Sequence, residues 1–158
     1  MNLYLRMILV YLKTGMRGVI STDDLSCELT MRVLPNDLDV NMHMNNGRFL
    51  TICDLSRLDL FIRTGLTKLM VKHKWAPIIA HHDMNYFKPL KPFQKYTVRL
   101  SIDSWDEKYF YCTHTFTSQG KVYAKGSSKA VVRSKEGVLA PGMVVDLVNE
   151  IQQTGQLV

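Results

Sequence analysis

Five segments of the chain alternate apolar and polar residues or are rich in β-branched and aromatic residues, and both patterns predict β-strands. Short turn signals at residues 106–107 and 118–120 separate the last three segments. Neighbouring strands joined by such short turns are expected to pair as antiparallel hairpins. The five segments are Cys27 to Leu34, followed by residues 77–90, 95–105, 108–117 and 121–134.

A helical period of apolar residues occupies residues 48–65, between the first strand and the other four. Asn45 or Asn46 can cap its N-terminus, and Gly65 is a typical C-terminal stop. Apolar side chains cover most of its circumference, which predicts a helix buried on nearly all sides. A short basic segment, residues 68–74, follows it. Two acid–base pairs fit the remaining polar stripe of the helix: Asp54 with Arg57, and Asp59 with Arg63.

The predicted order is one strand, a long buried helix, four antiparallel strands and a terminal helix at residues 142–153. A helix that is apolar on nearly all sides has to be covered by the sheet. The sequence therefore predicts an α+β fold in which an antiparallel sheet curls around a long central helix. We expect a single domain at residues 21–158, preceded by a separate segment at residues 1–20.

The N-terminal segment, residues 1–20, is apolar but is interrupted by Arg6. Its apolar run is shorter than the ~20 residues that a membrane span needs, and no small-residue cleavage site follows it. We expect a helix with two open interpretations. It packs on the domain or on a partner subunit, or it makes peripheral contact with a membrane through Tyr4, Tyr11 and nearby basic residues.

The net positive charge of the chain favours anionic binding partners. The chain has 158 residues, of which 46% are hydrophobic and 22% charged, and its formal charge is +6. No zinc-finger or RNA-binding signature accompanies this charge, so we expect no nucleic-acid partner. The cysteines Cys27, Cys53 and Cys112 form no CxxC pair and are typical of reduced core thiols in a cytoplasmic protein.

The histidines give no signal for a metal site. His81 and His82 are neighbours on a predicted strand, so their side chains point to opposite faces and cannot share one ion. His73 and His114 belong to no recognisable motif. We therefore expect neither a metal nor another cofactor.

The last predicted strand has two chemically different faces. Its even positions hold small residues, which suit the side toward the helix. Lys125, Lys129 and Arg133 lie on the outer side. This basic row is either a solvated face or a contact for a phosphate-bearing substrate.

A polar loop with the sequence "PNDLDVNMHMNNGRF" precedes the long helix. Asp39, Asn41 and His43 offer a carboxylate, an amide and an imidazole close to a helix N-terminus. The free N–H groups and the dipole of such a terminus favour a developing negative charge. Turn and cap formation alone accounts for the other short polar residues, Asn36, Asp37, Asn45 and Asn46.

The strand, this loop, the long helix and the hairpin strands together resemble the hotdog-fold thioesterases. The motif "DLDVNMHMNN" is similar to the loop of the 4-hydroxybenzoyl-CoA-thioesterase-like group and of the plant acyl-ACP thioesterases. The stretch "LKPFQKYTVRLSIDSWDEKYFY" resembles the middle strands of that family. The resemblance covers residues 27–135 and is strongest to the thioesterase superfamily member 6-like branch, whose members begin with an apolar segment.

The resemblance implies roles for individual residues of the loop. Asp39 matches the family's catalytic or water-activating carboxylate. Asn41 and His43 match the amide and imidazole of the acyl-ACP-type site. Asn45 and Asn46 match the paired asparagines that lead into the helix.

Two departures from the family pattern affect this transfer. Many relatives have glycine before the histidine, where this chain has Met42. The acyl-ACP branch carries a glutamate or cysteine on the following strand, where this chain has Pro89 and Leu90. The full catalytic set of that branch is therefore not matched.

The implied activity is hydrolysis of acyl thioesters of coenzyme A or acyl carrier protein. We expect no cofactor and a homo-oligomer, a dimer or tetramer, because a single curled sheet leaves open edges. Acyl chains are expected in a slot between the helix and a partner subunit, and the carrier phosphates near basic residues. The expected substrate-binding residues are Asn45, Asn46, Phe49, Leu50, Cys53, Ile79, Met84, Tyr86, Lys88 and Lys91, with the basic row as an alternative phosphate contact.

Two rival functions remain open at this stage. A hotdog enoyl-CoA hydratase has a similar loop, but there the aspartate and histidine are five apart with a proline between them, whereas Asp39 and His43 are four apart. A non-catalytic, membrane-associated acyl-binding protein could keep the loop as a structural cap.

Overall fold

The computed structural model describes residues 3–155 of the chain. A short 3-10 turn at Pro35–Asp37 lies in the loop between the first strand and the long helix. The helices and strands are α1 (Leu3–Thr14), β1 (Ser26–Arg32), α2 (Asn46–Thr64), α3 (Leu66–His73), β2 (Ala76–Tyr86), β3 (Lys95–Trp105), β4 (Phe110–Ser118), β5 (Lys121–Arg133) and α4 (Pro141–Gln153).

The strands form one five-stranded antiparallel sheet in the order β1-β3-β4-β5-β2. Strands β3, β4 and β5 are joined by the predicted hairpins. Strand β2 pairs with β5 and not with its sequence neighbour β3. Both β1 and β2 are therefore edge strands, and the predicted α+β class is confirmed.

A β-bulge interrupts the pairing of β2 with β5 between Ile79 and His81. Ten residues of β2 have a partner on β5, and Ala80 is the one left out of the ladder. Because the bulge absorbs one residue, Ile79 and His82 lie on the same face of the sheet although they are three apart. His82 consequently points toward α2, where it meets Arg57.

The ends of α2 are those that the sequence predicts. The side chain of Asn45 accepts a hydrogen bond from the backbone N–H of Gly47, as an N-cap does. Gly65 ends the helix in the left-handed conformation, at φ 85°, which glycine adopts without strain. The helix thus begins immediately after the polar loop.

Helix α1 covers the side of α2 that the sheet leaves open. Val10 joins the core, while Thr14 donates a hydrogen bond of 2.8 Å to the buried carboxylate of Asp59. Arg17 and Arg63 complete the ion pairs of that carboxylate, at 3.1 and 3.3 Å. The predicted polar stripe of α2 is therefore partly an internal interface, and the Asp54–Arg57 pair also forms, at 2.6 Å.

Helix α1 thus packs on α2, in agreement with one of the two open interpretations of the N-terminal segment, while residues 1 and 2 lie outside the described residues. The outer face of α1 remains apolar and exposed, with Tyr4, Ile8 and Leu12 each more than half accessible. In the part of the chain that the structure describes, no helix has the length and apolar character needed to span a bilayer.

Two predicted segments differ from the structure. Residues 68–73 of the basic segment belong to helix α3, because Leu66 and Leu69 are buried at helical spacing beneath the lysines, and Lys74 follows as the C-cap. The strand predicted for residues 77–90 ends at Tyr86. Beyond it the chain turns, and the prolines in this turn cannot donate to a β-ladder.

The two faces of β5 are those that the alternation predicts. Ala124, Gly126 and Ser128 are buried toward α2, whereas Lys125 and Lys129 are exposed. A Cβ atom on Gly126 would lie 2.2 Å from the backbone oxygen of Asp83, so glycine is required by the close approach of β2.

All three cysteines are free and buried, as the sequence predicts for core thiols. Burial raises the pKa of the Cys27 and Cys53 thiols to about 12 and that of Cys112 to about 11. These thiols therefore remain protonated near neutral pH.

Candidate functional site

The loop before α2 is organised around the carboxylate of Asp39. Its Oδ1 accepts the backbone N–H groups of Asn41 and His43, at 2.9 and 3.2 Å. The N–H of Asp39 donates in return to the carbonyl of His43, at 2.8 Å. Met42 closes this turn at φ 59°, the conformation that glycine would adopt more easily. No donor in residues 3–155 contacts the other carboxylate oxygen, Oδ2, which leaves it available for chemistry.

Asp37 stabilises the same loop through a buried ion pair and two hydrogen bonds. Its carboxylate is buried and lies 2.5 Å from the guanidinium of Arg6, which reaches it from α1. The same oxygen accepts the N–H of Leu34, and the carbonyl of Asp37 accepts the N–H of Asn45, both at 2.8 Å. This residue therefore has the structural role that the turn interpretation assigns to it.

An open cleft of about 230 Å³ lies between this loop, the first turn of α2 and the end of β2. Six of the residues predicted for the site line it: Asp39, His43, Asn46, Phe49, Tyr86 and Lys88. Met44, Phe87 and Pro89 complete the wall and were not predicted. Their places along the chain, next to predicted residues, are the signal that would have found them.

Seven other predicted residues do not line the cleft: Asn41, Asn45, Leu50, Cys53, Ile79, Met84 and Lys91. Asn41 uses its N–H for the Asp39 turn, and Asn45 is occupied as the N-cap. Met84 packs against the core. The side chain of Lys91 is exposed, and its backbone N–H donates to Gln94.

The first turn of α2 presents a hydrogen-bond donor to the cleft. The backbone N–H of Asn46 has no acceptor among the described residues. The adjacent carbonyl of Asn46 accepts the hydroxyl of Tyr86 at 3.1 Å, which ties the end of β2 to this turn. A free N–H at a helix N-terminus, strengthened by the helix dipole, suits a carbonyl oxygen that becomes negative.

The second departure from the family pattern, Pro89 and Leu90 in place of a glutamate or cysteine, changes the chemical groups in this region. Leu90 is fully buried in the core, and Pro89 forms part of the cleft wall without an ionisable group. Position 89–90 therefore supplies neither a carboxylate nor a thiol. Among the residues that line the cleft, the carboxylate and the imidazole both come from the loop.

The basic residues differ in their relation to the cleft. Lys88 lines it, with its ammonium 6.0 Å from the ring centre of Tyr123. Lys125, Lys129 and Arg133 are exposed on the outer side of β5 and none of them lines the cleft. The structure therefore separates two groups that the sequence left as alternatives.

The histidines of β2 lie on opposite faces, as predicted. His81 is exposed and lies 3.8 Å from Asp83, whereas His82 points inward to α2. His114, which belongs to no sequence motif, is fully buried on the inner face of β4. Burial lowers the pKa of His114 to about 3, so this imidazole is neutral at neutral pH.

A helix laid on an antiparallel sheet, with an acidic cleft at the helix N-terminus, defines the class of hotdog-fold thioesterase-like proteins. The thioesterase-like superfamily matches residues 33–147, which include the loop, α2 and the whole of β2 to β5. The protein belongs to this superfamily.

Two curated relatives illustrate the similarity in sequence. Protein THEM6 of Xenopus laevis is 31% identical over 146 residues, which cover 90% of this chain and 68% of the relative. The probable thioesterase YBR096W of Saccharomyces cerevisiae is 38% identical over 85 residues, covering 52% of this chain and 36% of the relative. The chain thus corresponds to only part of these longer proteins.

Solved structures agree in fold at lower identity. The probable thioesterase YbaW from Escherichia coli superimposes with a TM-score of 0.71 at 21% identity, covering 78% of this chain and 96% of its own. A 1,4-dihydroxy-2-naphthoyl-CoA thioesterase from Synechocystis gives a TM-score of 0.68 at 14% identity, covering 78% and 94%. The predicted hotdog fold is confirmed.

Proposed function

We propose that this protein hydrolyses acyl thioesters of coenzyme A or acyl carrier protein, with Asp39 as base or nucleophile. The observation that carries the proposal is the joint presence of Asp39, His43 and the N-terminal turn of α2 in one open cleft. Membership of the thioesterase-like superfamily supports the reaction type. The Synechocystis structure, a thioesterase for a CoA ester, supports coenzyme A as one carrier.

The chemistry requires little beyond what the cleft contains. A thioester carbonyl is electrophilic, and the tetrahedral intermediate needs stabilisation of its oxyanion. The N–H of Asn46 is the donor for that oxygen. Asp39 either takes a proton from the attacking water, after which the C–S bond breaks to release the thiolate and the free acid, or attacks the carbonyl itself. In the second route the C–S bond breaks with the acyl group held on Asp39, and water then hydrolyses this anhydride to the free acid. His43, which belongs to the same turn and also lines the cleft, assists with proton transfer.

The cleft walls suggest how a substrate lies in it. Phe49 packs edge-on against Tyr86, with ring centres 5.2 Å apart, and the two rings form an apolar wall beside Asp39. Lys88 lies at the mouth and is the residue for a carrier phosphate. We therefore assign the acyl group to the aromatic side and the carrier to the lysine side.

The proposal includes a second copy of the chain. Strand β2 is an edge strand whose outer backbone groups have no partner strand in residues 3–155, and Ile78 and Tyr86 on it are about two-fifths exposed. Pairing of two such edges would continue the sheet and bring a second wall to the cleft. Sedimentation as a folded, fully active monomer at micromolar concentration would contradict this arrangement.

The decisive variant is Asp39→Asn. The amide oxygen of asparagine still accepts the two backbone N–H groups that Oδ1 accepts, so the turn is retained while the negative charge is removed. We expect a loss of thiol release of 100-fold or more, on the order of the loss when a general base is removed. His43→Ala should cost less, because the imidazole only assists.

Two controls separate chemistry from folding. Asn41→Ala keeps the backbone N–H that closes the turn and should leave turnover near that of the wild type. Circular dichroism should show all three variants folded. Near-wild-type turnover in Asp39→Asn would remove Asp39 from the mechanism, and a loss of enoyl absorbance without thiol release would identify a hydratase instead.

A further inference from the structure

Three side chains that commonly ligate metals meet between α2 and the sheet. Cys53 comes from α2, His82 from β2 and His114 from β4, and their ligand atoms all lie within 4.8 Å of one another. Cys53 and His114 are completely inaccessible to solvent. The two imidazole rings are 5.5 Å apart between their centres.

Two local features of the fold, a β-bulge in β2 and small residues in β5, bring these residues together. The bulge at Ala80 turns His82 to the inner face of β2. Strand β5 lies between the two histidine strands, and its inward residues there are Gly126 and Ser128. Because neither has a bulky side chain, nothing from β5 separates the rings of His82 and His114.

The histidine nitrogens of this cluster have unmet hydrogen-bonding capacity. Within residues 3–155, neither ring nitrogen of the buried His114 has a hydrogen-bond partner, and Nε2 of His82 also has none. Leaving a buried polar group unpaired costs about 1–3 kcal/mol, so such groups call for a partner. One nitrogen of each ring and the Cys53 sulfur lie within 4.8 Å of one another, so one lone pair from each imidazole and the thiol meet in one small volume and indicate a ligand that binds lone pairs.

We propose that Cys53, His82 and His114 form a binding site for a zinc-class divalent transition-metal ion. A thiolate with two imidazoles is a borderline donor set of the kind that zinc prefers. On binding, the thiol proton passes to solvent, the sulfur ligates as thiolate, and each imidazole ligates through one lone pair. Ligands around a tetrahedral ion are about 3.5 Å apart, so the side chains have to close in by about 1 Å.

Arg57 is the cation nearest to this site. Its Nη2 is 3.5 Å from Nδ1 of His82, which is a long contact. Asp54 at 2.6 Å and Ser128 at 3.3 Å hold the guanidinium independently. His82 can therefore turn toward the ion while Arg57 stays paired with Asp54, and the thiolate offsets one of the two positive charges that the ion brings.

The ion would join three elements, of which α2 and β2 are otherwise linked by side-chain packing and by the hydrogen bond from Tyr86 to Asn46. It would connect the first half of α2 to β4 and to the edge strand β2. Strand β2 also carries Tyr86 of the cleft, so the site lies behind the wall of the candidate active site. The proposal does not depend on the thioesterase assignment, because binding is measured without any substrate.

Cobalt titration of the chelator-treated protein tests the proposal. We expect one equivalent of Co²⁺ to bind, with the visible bands of tetrahedral cobalt and a thiolate-to-cobalt charge-transfer band. The charge-transfer band should be lost in Cys53→Ser and retained in Cys27→Ser, a control at an equally buried thiol. Loss of tight binding in His114→Gln, with retention in His81→Gln, would assign the imidazole.

A second measurement on the wild type avoids any dependence on how the variants fold. X-ray absorption of the zinc-loaded protein should show one sulfur and at least two imidazole nitrogens around the ion. Absence of the charge-transfer band in folded wild-type protein, persistence of the band in Cys53→Ser, or a shell without sulfur would each overturn the proposal.

Discussion

Arg6 of helix α1 and Asp37 of the candidate-site loop form a buried ion pair, with 2.5 Å between Nη2 and Oδ2. Both side chains are less than one-tenth exposed. Asp37 in turn holds the N–H groups of Leu34 and Asn45, which flank the loop on both sides. The N-terminal helix is therefore part of the support of the loop that carries Asp39.

Removing only one partner of this ion pair should destabilise the protein. Arg6→Ala leaves the carboxylate of Asp37 buried without its main counter-charge, and we expect a loss of about 3–5 kcal/mol in the free energy of unfolding. Urea denaturation measures it. The double variant Arg6→Met with Asp37→Asn removes both charges, keeps an acceptor for the N–H of Leu34 and should recover much of the loss. If the double variant is as unstable as the single one, packing and not charge explains the effect.

Glycine should be better than methionine at position 42. Met42 has φ 59° and an exposed side chain, so Met42→Gly relieves left-handed strain without losing packing, and we expect a gain of about 1 kcal/mol in stability. The matched control is Val40→Gly in the same loop. Val40 is 98% exposed and has no positive φ, so this change should only loosen the chain and lower stability. A loss of stability in Met42→Gly would show that the strain is absent in solution.

Adding one methyl group to β5 should disturb β2. In Gly126→Ala the new Cβ would be 2.2 Å from the carbonyl oxygen of Asp83, and we expect a loss of about 1–3 kcal/mol in stability. Gly142→Ala, where no atom lies within 4 Å of the new Cβ, should be neutral or slightly stabilising. Thermal unfolding of both variants compares them directly, and equal effects would argue against a close β2–β5 approach.

Lys88 should distinguish substrates with and without a nucleotide. If the thioesterase proposal holds, Lys88→Glu should raise KM for an acyl-CoA several-fold and weaken its salt dependence, since salt screens charges beyond about 8–10 Å. KM for a truncated thioester without phosphates should hardly change. The control is combined charge reversal at Lys125, Lys129 and Arg133, which lie away from the cleft. It should leave both KM values unchanged. A larger effect from this outer row would place the carrier on the opposite face of the sheet.

The turn after β3 offers a test by titration. Hydrogen bonds from the Tyr111 hydroxyl and from the N–H groups of Tyr109 and Lys108 hold the pKa of the exposed Asp106 at about 2. Tyr111→Phe removes the strongest of these, so the pKa should rise toward the ordinary value, and the carboxylate should be protonated at higher pH. NMR titration of the carboxyl carbon measures the shift. Tyr109→Phe is the control, because only the backbone of Tyr109 contacts Asp106, and a rise there would contradict the assignment.

Local patterns predicted much of this molecule because they depend only on neighbouring residues. The alternation in β5 placed Lys125 outside and Gly126 inside, and Asn45 and Gly65 marked the ends of α2. Pairing between strands depends on the whole topology. The partner of β2 therefore could not be read from its own sequence, which matches a neighbour at β3 equally well.

The candidate site also combines features that local sequence predicts with features that only the folded structure shows. The motif located Asp39 and His43, and the structure places both in the cleft. It did not show that the backbone N–H of the neighbouring Asn41 closes the Asp39 turn, because that depends on the dihedral angles of a four-residue turn. Nor could it bring His82 toward His114, since the bulge that does so is one unremarkable alanine.

Ala80 determines which insertions or deletions strand β2 can accept during evolution. An insertion within a strand ordinarily exchanges the faces of every residue beyond it. Ala80 bulges out of the ladder instead, so deleting it would restore plain alternation and leave His82, Met84 and Tyr86 facing the helix. Related chains that differ in length by one residue at this point can thus share the same interior, and an alignment gap in the middle of this strand is structurally meaningful.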